Sequence, residues 1–263
     1  MVISNDDGVD APGLEILASA FRGRCELLIV APITERSATS HAVNMEAEWY
    51  IEQRGPERYA VDGSPADCVY LALCQLAPRR PSLVLSGINR GYNLGTDVFY
   101  SGTVAAAAEA VILGVPALAI SAQAQSTPET LRRAARFASA LAAWVLGNGW
   151  GPGDTLLNVN VPAGDFEAFS VGSLGTRRYP PPPRLPGPLA PRGRLRLDRP
   201  RISGLEGSVG QDADIVRSGL ISITPLRLDW THPGEVQTLS RVLRLDGFEH
   251  RERAGGEPEG QSR

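Results

Sequence analysis

The chain has 263 residues, of which 43% are hydrophobic, so it is long enough to bury the core of one large domain. Its formal net charge of −3 and its pI near 5.7 give no basic surface for a nucleic-acid polymer, although a single nucleotide needs only a local pocket. All 26 basic residues are arginine, which excludes a Walker A lysine and lysine Schiff-base chemistry.

Short apolar strands alternate with amphipathic helical patterns through the first part of the chain, as in βαβ units. We therefore predict an α/β fold with a Rossmann-like, mostly parallel sheet flanked by helices. The predicted strands are Val2–Ser4, Glu26–Ala31, Ser82–Ser86, Ala117–Ser121 and Leu156–Val161. The predicted helices are Gly13–Phe21, Ala66–Leu76, Val104–Leu113 and Pro128–Leu146.

The pattern changes after this core, which we predict to span residues 1–168. Proline crowds Tyr179–Pro200, so this stretch cannot be a central strand or a helix. A strand is predicted at Ser218–Leu228 and a last helix at Val236–Leu245. Residues 169–250 are therefore predicted to be a β-rich C-terminal extension used for oligomerisation in a homodimer or homotetramer. Residues 251–263 are polar and are predicted to be disordered.

The cysteines and the absence of apolar spans both bear on location. Cys25, Cys68 and Cys74 are odd in number and lack the C-x-x-C spacing, which favours reduced core thiols over a disulfide framework or a zinc site. No apolar run is long enough to cross a bilayer, and the first residues lack the features of a secretory signal. We expect a cytoplasmic protein with no membrane partner.

Two adjacent carboxylates, Asp6 and Asp7, follow the first predicted strand directly. In an open parallel sheet the carboxyl ends of the strands border the ligand crevice, so this pair is expected at the rim of that crevice. Neighbouring carboxylates repel each other unless a cation joins them, and hard oxygen donors suit Mg²⁺, Mn²⁺ or Ca²⁺. The alternative interpretation is a plain turn, because Asn-Asp-Asp-Gly is also good turn chemistry.

Three further polar segments are expected at the same edge of the sheet. The loop after the second strand carries the hydroxyl of Ser37, which can complete the oxygen shell of a cation. Ser86–Gly95 offers the amide oxygens of Asn89 and Asn93 between glycines. Tyr100–Thr103 places hydroxyl groups and free N–H groups at the start of a helix, which suits a phosphate.

Each of these signals also has an ordinary structural explanation. Ser101, Gly102 and Thr103 can simply cap a helix. Asn89 and Asn93 can be turn residues, His41 a surface histidine, and Arg36 and Arg90 solvated charges. Their convergence on one edge of the sheet favours metal-assisted chemistry on a phosphate.

Five motifs in order resemble those of the SurE family, the stationary-phase survival proteins. They are Ser4–Gly13, Val30–Ser37, Gly63–Val69, Ser86–Gly95 and Tyr100–Ala105. The resemblance implies a metal-dependent 5′/3′-nucleotidase that takes a small nucleotide substrate and holds one divalent ion per subunit, Mg²⁺, Mn²⁺ or Co²⁺. Residue by residue, it implies Asp6, Asp7, Ser37 and Asn89 as metal ligands. It places Asn93, Ser101, Gly102 and Thr103 near the phosphate.

Two mechanisms and two other functions remain open at this stage. Asp6 can align or deprotonate a water molecule, with Asp7 beside it, or it can attack phosphorus itself. The absence of lysine favours water, because aspartyl-phosphate families normally place a lysine beside the phosphate. A non-catalytic nucleotide sensor could use the same pocket, and a receiver-like signalling domain shares the acidic start but needs that lysine.

Overall fold

The computed structural model of the chain describes residues 1–44, 46, 48–151, 153–164, 166–177, 179 and 207–242. Within these residues nine strands form one sheet with the order β3-β4-β2-β1-β5-β6-β7-β9-β8. The strands are β1 (Val2–Ser4), β2 (Leu28–Pro32), β3 (Ile51–Gly55), β4 (Arg58–Val61), β5 (Val84–Arg90), β6 (Ala117–Ala122), β7 (Thr155–Val161), β8 (Phe169–Val171) and β9 (Ile221–Arg227). The six strands from β4 to β7 are mutually parallel, while β3 and β9 run antiparallel to their inner neighbours.

Helices cover both faces of this sheet. They are α1 (Pro12–Ser19), α2 (Pro65–Leu71), α3 (Gly102–Ile112), α4 (Pro128–Gly147) and α5 (Asp212–Arg217). A sixth helix, α6 (Pro233–Val242), occurs later in the chain. A π-helical turn, Ala72–Leu76, continues α2, and a 3₁₀ turn, Gly95–Phe99, precedes α3. The predicted Rossmann-like α/β class is therefore confirmed.

Two apolar clusters lie on opposite faces of the sheet. One face packs against α1 and α4, with Leu17 and Ala138 among the buried residues. The other packs against α2 and α3, with Val69 and Ala107 among them. Because successive side chains of a strand alternate between faces, β1 contributes Ile3 to the first cluster and Val2 to the second.

Local sequence explains where the helices begin. Proline occupies the first turn of α1, α2 and α4, where its missing N–H costs nothing. Ser64 and Asp67 form a reciprocal capping box at α2, in which each side chain accepts from the backbone N–H of the other residue. Thr127 caps α4 through the N–H of Thr130.

The chain order of the sheet reverses between β1 and β5. From β1 the chain moves outward to β2 and β4 on one side, and the later strands β5, β6 and β7 extend the sheet on the other. Such a topological switch point opens a crevice at the carboxyl ends of the two central strands. Asp6 and Asp7 follow β1 and Asn89 lies in β5, so the fold brings these two predicted segments to that crevice.

The sequence missed the elements that lack a strong pattern. The antiparallel hairpin of β3 and β4 was not predicted, since its residues are mostly polar or half exposed. The short β8 and α5 were missed as well. Cys68 is buried as expected, but Cys25 is only half-buried and Cys74 is exposed, so the prediction of core thiols is wrong for Cys74.

The chain divides into two compact units, Met1–Leu228 and Asp229–Arg263. The strands on both sides of residue 168 belong to the first unit, and α6 belongs to the second. Most of the proline-rich stretch 179–200 and all of the tail 251–263 lie outside the described residues, as does the end of the predicted last helix. None of the described helices is long and apolar enough to cross a membrane.

The close packing of α1 on β5 gives a test of the fold. A Cβ atom at Gly13 would lie 2.2 Å from the carbonyl oxygen of Ile88, so Gly13→Ala should destabilise the protein by about 1–3 kcal/mol through overpacking. Gly147, at the end of α4, has open space around its Cα, so Gly147→Ala should stabilise by about 0.4–1 kcal/mol. Urea unfolding measures the free energy of unfolding of both variants. Equal unfolding midpoints for the two would contradict the described packing.

Candidate metal and phosphate site

The turn after β1 presents the two carboxylates. The buried Asn5 closes this turn, since its side-chain nitrogen donates to the carbonyl of Gly8 (2.9 Å) and its side-chain oxygen accepts from the N–H of Gly8 (3.2 Å). Gly8 has φ +105°, which suits glycine. The turn chemistry and the acidic pair are therefore compatible: Asn5 and Gly8 shape the turn, and Asp6 and Asp7 are left to project from it.

Asp6 is a buried carboxylate without a cationic side chain beside it. Its side chain accepts a hydrogen bond from the hydroxyl of Thr103 (2.6 Å), and among the described residues it forms no ion pair. Burial raises the pKa of Asp6 to about 6; the hydrogen bond from Thr103 opposes this shift, and the charge of Asp7 adds to it. A carboxylate in this environment is stabilised by any cation that reaches it.

Asp7 lies beside Asp6 but is more accessible. One of its oxygens accepts from the backbone N–H of Arg90 (3.2 Å), which joins the turn after β1 to the end of β5. Burial raises the pKa of Asp7, the hydrogen bond from the Arg90 backbone lowers it, the charge of Glu35 raises it and the charge of Arg90 lowers it. The two carboxylates therefore occupy a site with excess negative charge.

A one-residue bulge in β5 positions Asn89. Ser86 pairs with Ala119 and Asn89 with Ser121, so three residues of β5 span the same length as two of β6. The bulge contains Gly87, where a Cβ atom would lie 2.3 Å from the carbonyl oxygen of Ile120. The side-chain nitrogen of Asn89 donates to the carbonyl of Gly91 (2.8 Å), which leaves its amide oxygen to coordinate a cation.

The loop with Ser37 borders the pair from the side of β2. The N–H of Arg36 donates to the carbonyl of Asp6 (2.8 Å), and the exposed hydroxyl of Ser37 donates to Glu35 (2.6 Å). Ala38 and Ser40 have φ of 57° and 55°, a conformation that costs non-glycine residues free energy and persists only when the surroundings hold it. Here hydrogen bonds between the loop and the segment before α3 hold it.

Those hydrogen bonds reach across the site to α3. Ser40 donates through its hydroxyl to the carbonyl of Phe99 (2.7 Å) and through its N–H to that of Tyr100 (3.2 Å). His41 lies 2.8 Å from the carboxylate of Glu109, a residue of α3 that is itself buried. From the sequence, His41 is interpreted as a possible surface residue, and Glu109 is not singled out. The signal that could have identified Glu109 is an acidic residue within an alanine-rich helix.

The N-terminus of α3 faces Asp6. Ser101 caps the helix by accepting from the N–H of Val104 (3.1 Å), so the capping interpretation is correct for this residue. A Cβ atom at Gly102 would lie 2.9 Å from the Cβ of Asp6, which explains why the helix can begin so close to the carboxylate. The first N–H groups of a helix have no partner within it, so this terminus can also receive an anion.

Asn93 belongs to a buried cluster of amide groups. Its side-chain nitrogen donates to the hydroxyl of Ser121 (2.7 Å), and its backbone N–H donates to the side-chain oxygen of Asn160 (2.8 Å). Its carbonyl accepts from the side chains of Asn158 (2.8 Å) and Asn160 (3.0 Å). Asn93 therefore fixes the loop after β5 to β6 and β7, a role that the sequence did not reveal.

The available donors fit a hard divalent cation. Asp6, Asp7, Ser37 and Asn89 offer only carboxylate, hydroxyl and amide oxygens. In the described part of the chain no group of three or more His, Cys, Asp or Glu side chains is arranged to hold a metal ion, so these residues do not offer a zinc site of the usual Cys/His type. The unpaired buried charge of Asp6 is the observation that favours a cation here.

Comparison with known proteins identifies the family of this chain. The family model described as "Survival protein SurE" matches residues 1–181. This chain belongs to the SurE family. The 5′-nucleotidase SurE of Anaeromyxobacter sp. (strain Fw109-5) is 44% identical over 256 residues, which cover 95% of this chain and 97% of that protein. The 5′-nucleotidase SurE of Geobacter sulfurreducens is 41% identical over 248 residues, 91% of this chain and 92% of that relative.

The fold is similar to that of a solved SurE structure. The crystal structure of the SurE protein from Aquifex aeolicus superposes with a TM-score of 0.76 at 33% identity, covering 91% of this chain and 98% of that one. The similarity therefore extends over both the parallel core and strands after residue 168.

The raised pKa of Asp6 predicts a stability change in the metal-free protein. Because folding raises this pKa from 3.8 to about 6, folded protein binds the proton more tightly, and stability falls as pH rises through that interval. Asp6→Asn keeps an oxygen for Thr103 and removes the buried charge. It should stabilise chelator-treated protein at pH 7.5 by about 1–3 kcal/mol, at about 1.4 kcal/mol per pKa unit.

The gain should become small near pH 3, below both pKa values, where Asp6 is mostly protonated in the folded and the unfolded protein. Asp10→Asn, at an exposed position in the same turn region, is the control and should change stability little at either pH. Guanidinium unfolding at the two pH values measures both variants. A destabilised Asp6→Asn at pH 7.5 would contradict the assignment of an uncompensated buried charge.

Proposed function

We propose that this protein is a metal-dependent nucleotidase that hydrolyses nucleoside 5′-monophosphates to nucleoside and phosphate, with 3′-monophosphates as further substrates. The observation that carries the proposal is a buried, unpaired carboxylate beneath the N-terminus of α3 in a SurE-family chain. Its relatives named 5′-nucleotidase SurE align with nearly the whole chain, which supports the same reaction here.

Asp6, Asp7, Ser37 and Asn89 are the residues that would hold one divalent cation, Mg²⁺, Mn²⁺ or Co²⁺. When bound, such a cation supplies positive charge to the phosphate and lowers the pKa of a coordinated water molecule. Ser37 would turn its hydroxyl from Glu35 toward the cation, a change of one side-chain torsion at an exposed position.

Asp6 has the position and the ionisation state to direct the attacking water. Thr103 holds one oxygen of its carboxylate by a hydrogen bond, which leaves the other to align a water molecule or accept its proton. Above a pH of about 6 the group is ionised even without a cation, so it can act as a base near neutrality. The chain has no lysine to accompany an aspartyl phosphate, which favours water as the nucleophile.

The start of α3 is suited to bind the phosphate. Ser101 and Gly102 bring the first N–H groups of the helix close to Asp6, where they can donate to phosphate oxygens. Asn93 would contribute indirectly, because its side-chain nitrogen already donates to Ser121. Its role is to hold the loop that follows Asn89.

The function is tested by assaying nucleoside 5′- and 3′-monophosphates after chelation and after addition of Mg²⁺, Mn²⁺ or Co²⁺. We expect hydrolysis that depends on the added cation. Asn89→Ala removes one oxygen ligand, so the Mn²⁺ concentration needed for half-maximal activity should rise about ten- to a hundredfold, the value of one good charge-assisted hydrogen bond.

Asn148→Ala, at an exposed position after α4, is the matched control and should leave the Mn²⁺ requirement unchanged. Tight nucleotide binding without turnover under every cation would instead indicate a sensor. Full turnover in the presence of excess chelator would contradict the metal-dependent mechanism.

We also propose that the protein forms a homodimer or homotetramer through its C-terminal extension. Phe169 and Val171 are 58% and 62% exposed, and they lie on β8, the outermost strand of the sheet that the described residues form. An interface that covers this edge would remove that exposure. Light scattering of the full chain should give twice or four times its 28.1 kDa mass, and a monomer at micromolar concentration would contradict the proposal.

A further inference from the structure

Arginine side chains reach several segments that border the site, but most of them are bound to carboxylates. Arg36, next to Ser37, pairs with Asp62. Arg177 pairs with Asp97 in the turn before α3, at 2.6 Å. Arg58 reaches the carbonyl of Val9 and pairs with Glu15. Each of these three guanidinium groups already contacts a carboxylate, although the buried Nε of Arg36 has no hydrogen-bond partner among the described residues.

Arg90 differs from them. Its backbone is fixed, because its N–H donates to Asp7 (3.2 Å) and it pairs with Ala122 in β6. Its side chain is exposed, and its guanidinium forms no ion pair or hydrogen bond with another described residue. The structure thus holds the base of this side chain rigidly at the carboxylate pair while leaving its charged end available.

The alternation of β5 places Arg90 on the side of the site away from α3. Ala122, its partner in β6, belongs to the cluster that packs on α1 and α4. Asn89 pairs with Ser121 and points to the opposite face, where α3 begins. A phosphate above the acidic pair would have helix N–H groups on one side and could receive the guanidinium of Arg90 from the other.

The negative charges of the site favour a cationic side chain in addition to a divalent metal ion. Asp6 and Asp7 carry two negative charges when ionised, and the exposed Glu35, which accepts a hydrogen bond from Ser37 (2.6 Å), adds a third carboxylate at the edge of the site. A divalent cation balances only the two carboxylates. The doubly charged phosphate of a nucleoside monophosphate would then meet a site at which, unlike Arg36, Arg58 and Arg177, Arg90 has no carboxylate partner among the residues described.

We propose that Arg90 is a substrate-binding residue that contacts the non-bridging phosphate oxygens and gives the site its preference for doubly charged phosphate monoesters over singly charged diesters. The proposal rests on the function proposed above. It gives a role to a residue that the sequence left open as a solvated charge. Arginine suits this role because its planar group can donate two parallel hydrogen bonds to a phosphate.

The test compares Arg90→Gln with Arg79→Gln. Arg79 is 71% exposed and pairs with Glu26 near the amino ends of the strands, so its replacement changes net charge equally without touching the site. For Arg90→Gln we expect the KM for AMP and the inhibition constant of inorganic phosphate to rise about ten- to a hundredfold, with kcat changed less than threefold. Arg79→Gln should change neither constant.

Two further measurements separate substrate binding from support of the loop. Mn²⁺ affinity, measured by calorimetry, should not weaken in Arg90→Gln, since a positive charge near the acidic pair is removed. Arg90→Lys should recover part of the phosphate affinity, because the charge returns without the planar fork. The preference for AMP over a phosphodiester such as bis(p-nitrophenyl) phosphate should narrow in Arg90→Gln.

The inference is overturned if Arg90→Gln leaves KM and phosphate inhibition unchanged, or if it lowers Mn²⁺ affinity and kcat together as a displaced loop would. Its failure is distinct from failure of the proposed function. If the unmodified protein hydrolyses no nucleotide, calorimetric binding of inorganic phosphate to the Mn²⁺-loaded protein still decides the role of Arg90. Equal phosphate affinity in the unmodified protein and Arg90→Gln would then refute it.

Discussion

The burial of the Asp6 carboxylate against the start of α3 is the constraint on which the site depends. A charged group in this position is unfavourable without a partner, yet among the described residues it receives only hydrogen bonds, such as that from the hydroxyl of Thr103 at 2.6 Å, and no cationic side chain pairs with it. The close approach is possible because Gly102 has no side chain and most of α3 consists of small residues. The fold therefore creates a place for positive charge by bringing a helix terminus and an acidic turn together.

The loops around this contact are held by long-range hydrogen bonds rather than by their own secondary structure. Ser40 and His41 attach the Ser37 loop to the segments before and within α3, and Asn93 attaches the loop after β5 to the neighbouring strands. These contacts fix both loops to neighbouring elements of the fold and so limit the conformations that the loops can adopt. Hydrogen bonds to regular secondary structure thus hold loop residues that are not themselves part of a strand or helix.

The sequence predicts the site best where polar residues lie at the carboxyl end of a predicted strand. Asp6, Asp7 and Asn89 could be placed together from the rule that ligands gather at the carboxyl ends of parallel strands, and the structure brings their segments to one crevice. The pairing of His41 with Glu109 could not be predicted, since 68 residues separate them and neither has a local pattern that names its partner. The hydrogen bonds of Asn93 could not be predicted for the same reason, because its partners lie on β6 and β7.

The bulge in β5 could not be predicted from the sequence, and it determines which face of the sheet Asn89 and Arg90 occupy. One additional residue between Ser86 and Asn89 changes the phase of the alternation, so that Asn89 shares a face with Ser86 and Arg90 takes the other. If the same residues paired as a regular strand without the bulge, Asn89 and Arg90 would lie on exchanged faces of the sheet. The positions of these two side chains therefore depend on a backbone irregularity that keeps one residue out of the pairing, and not on residue identity alone.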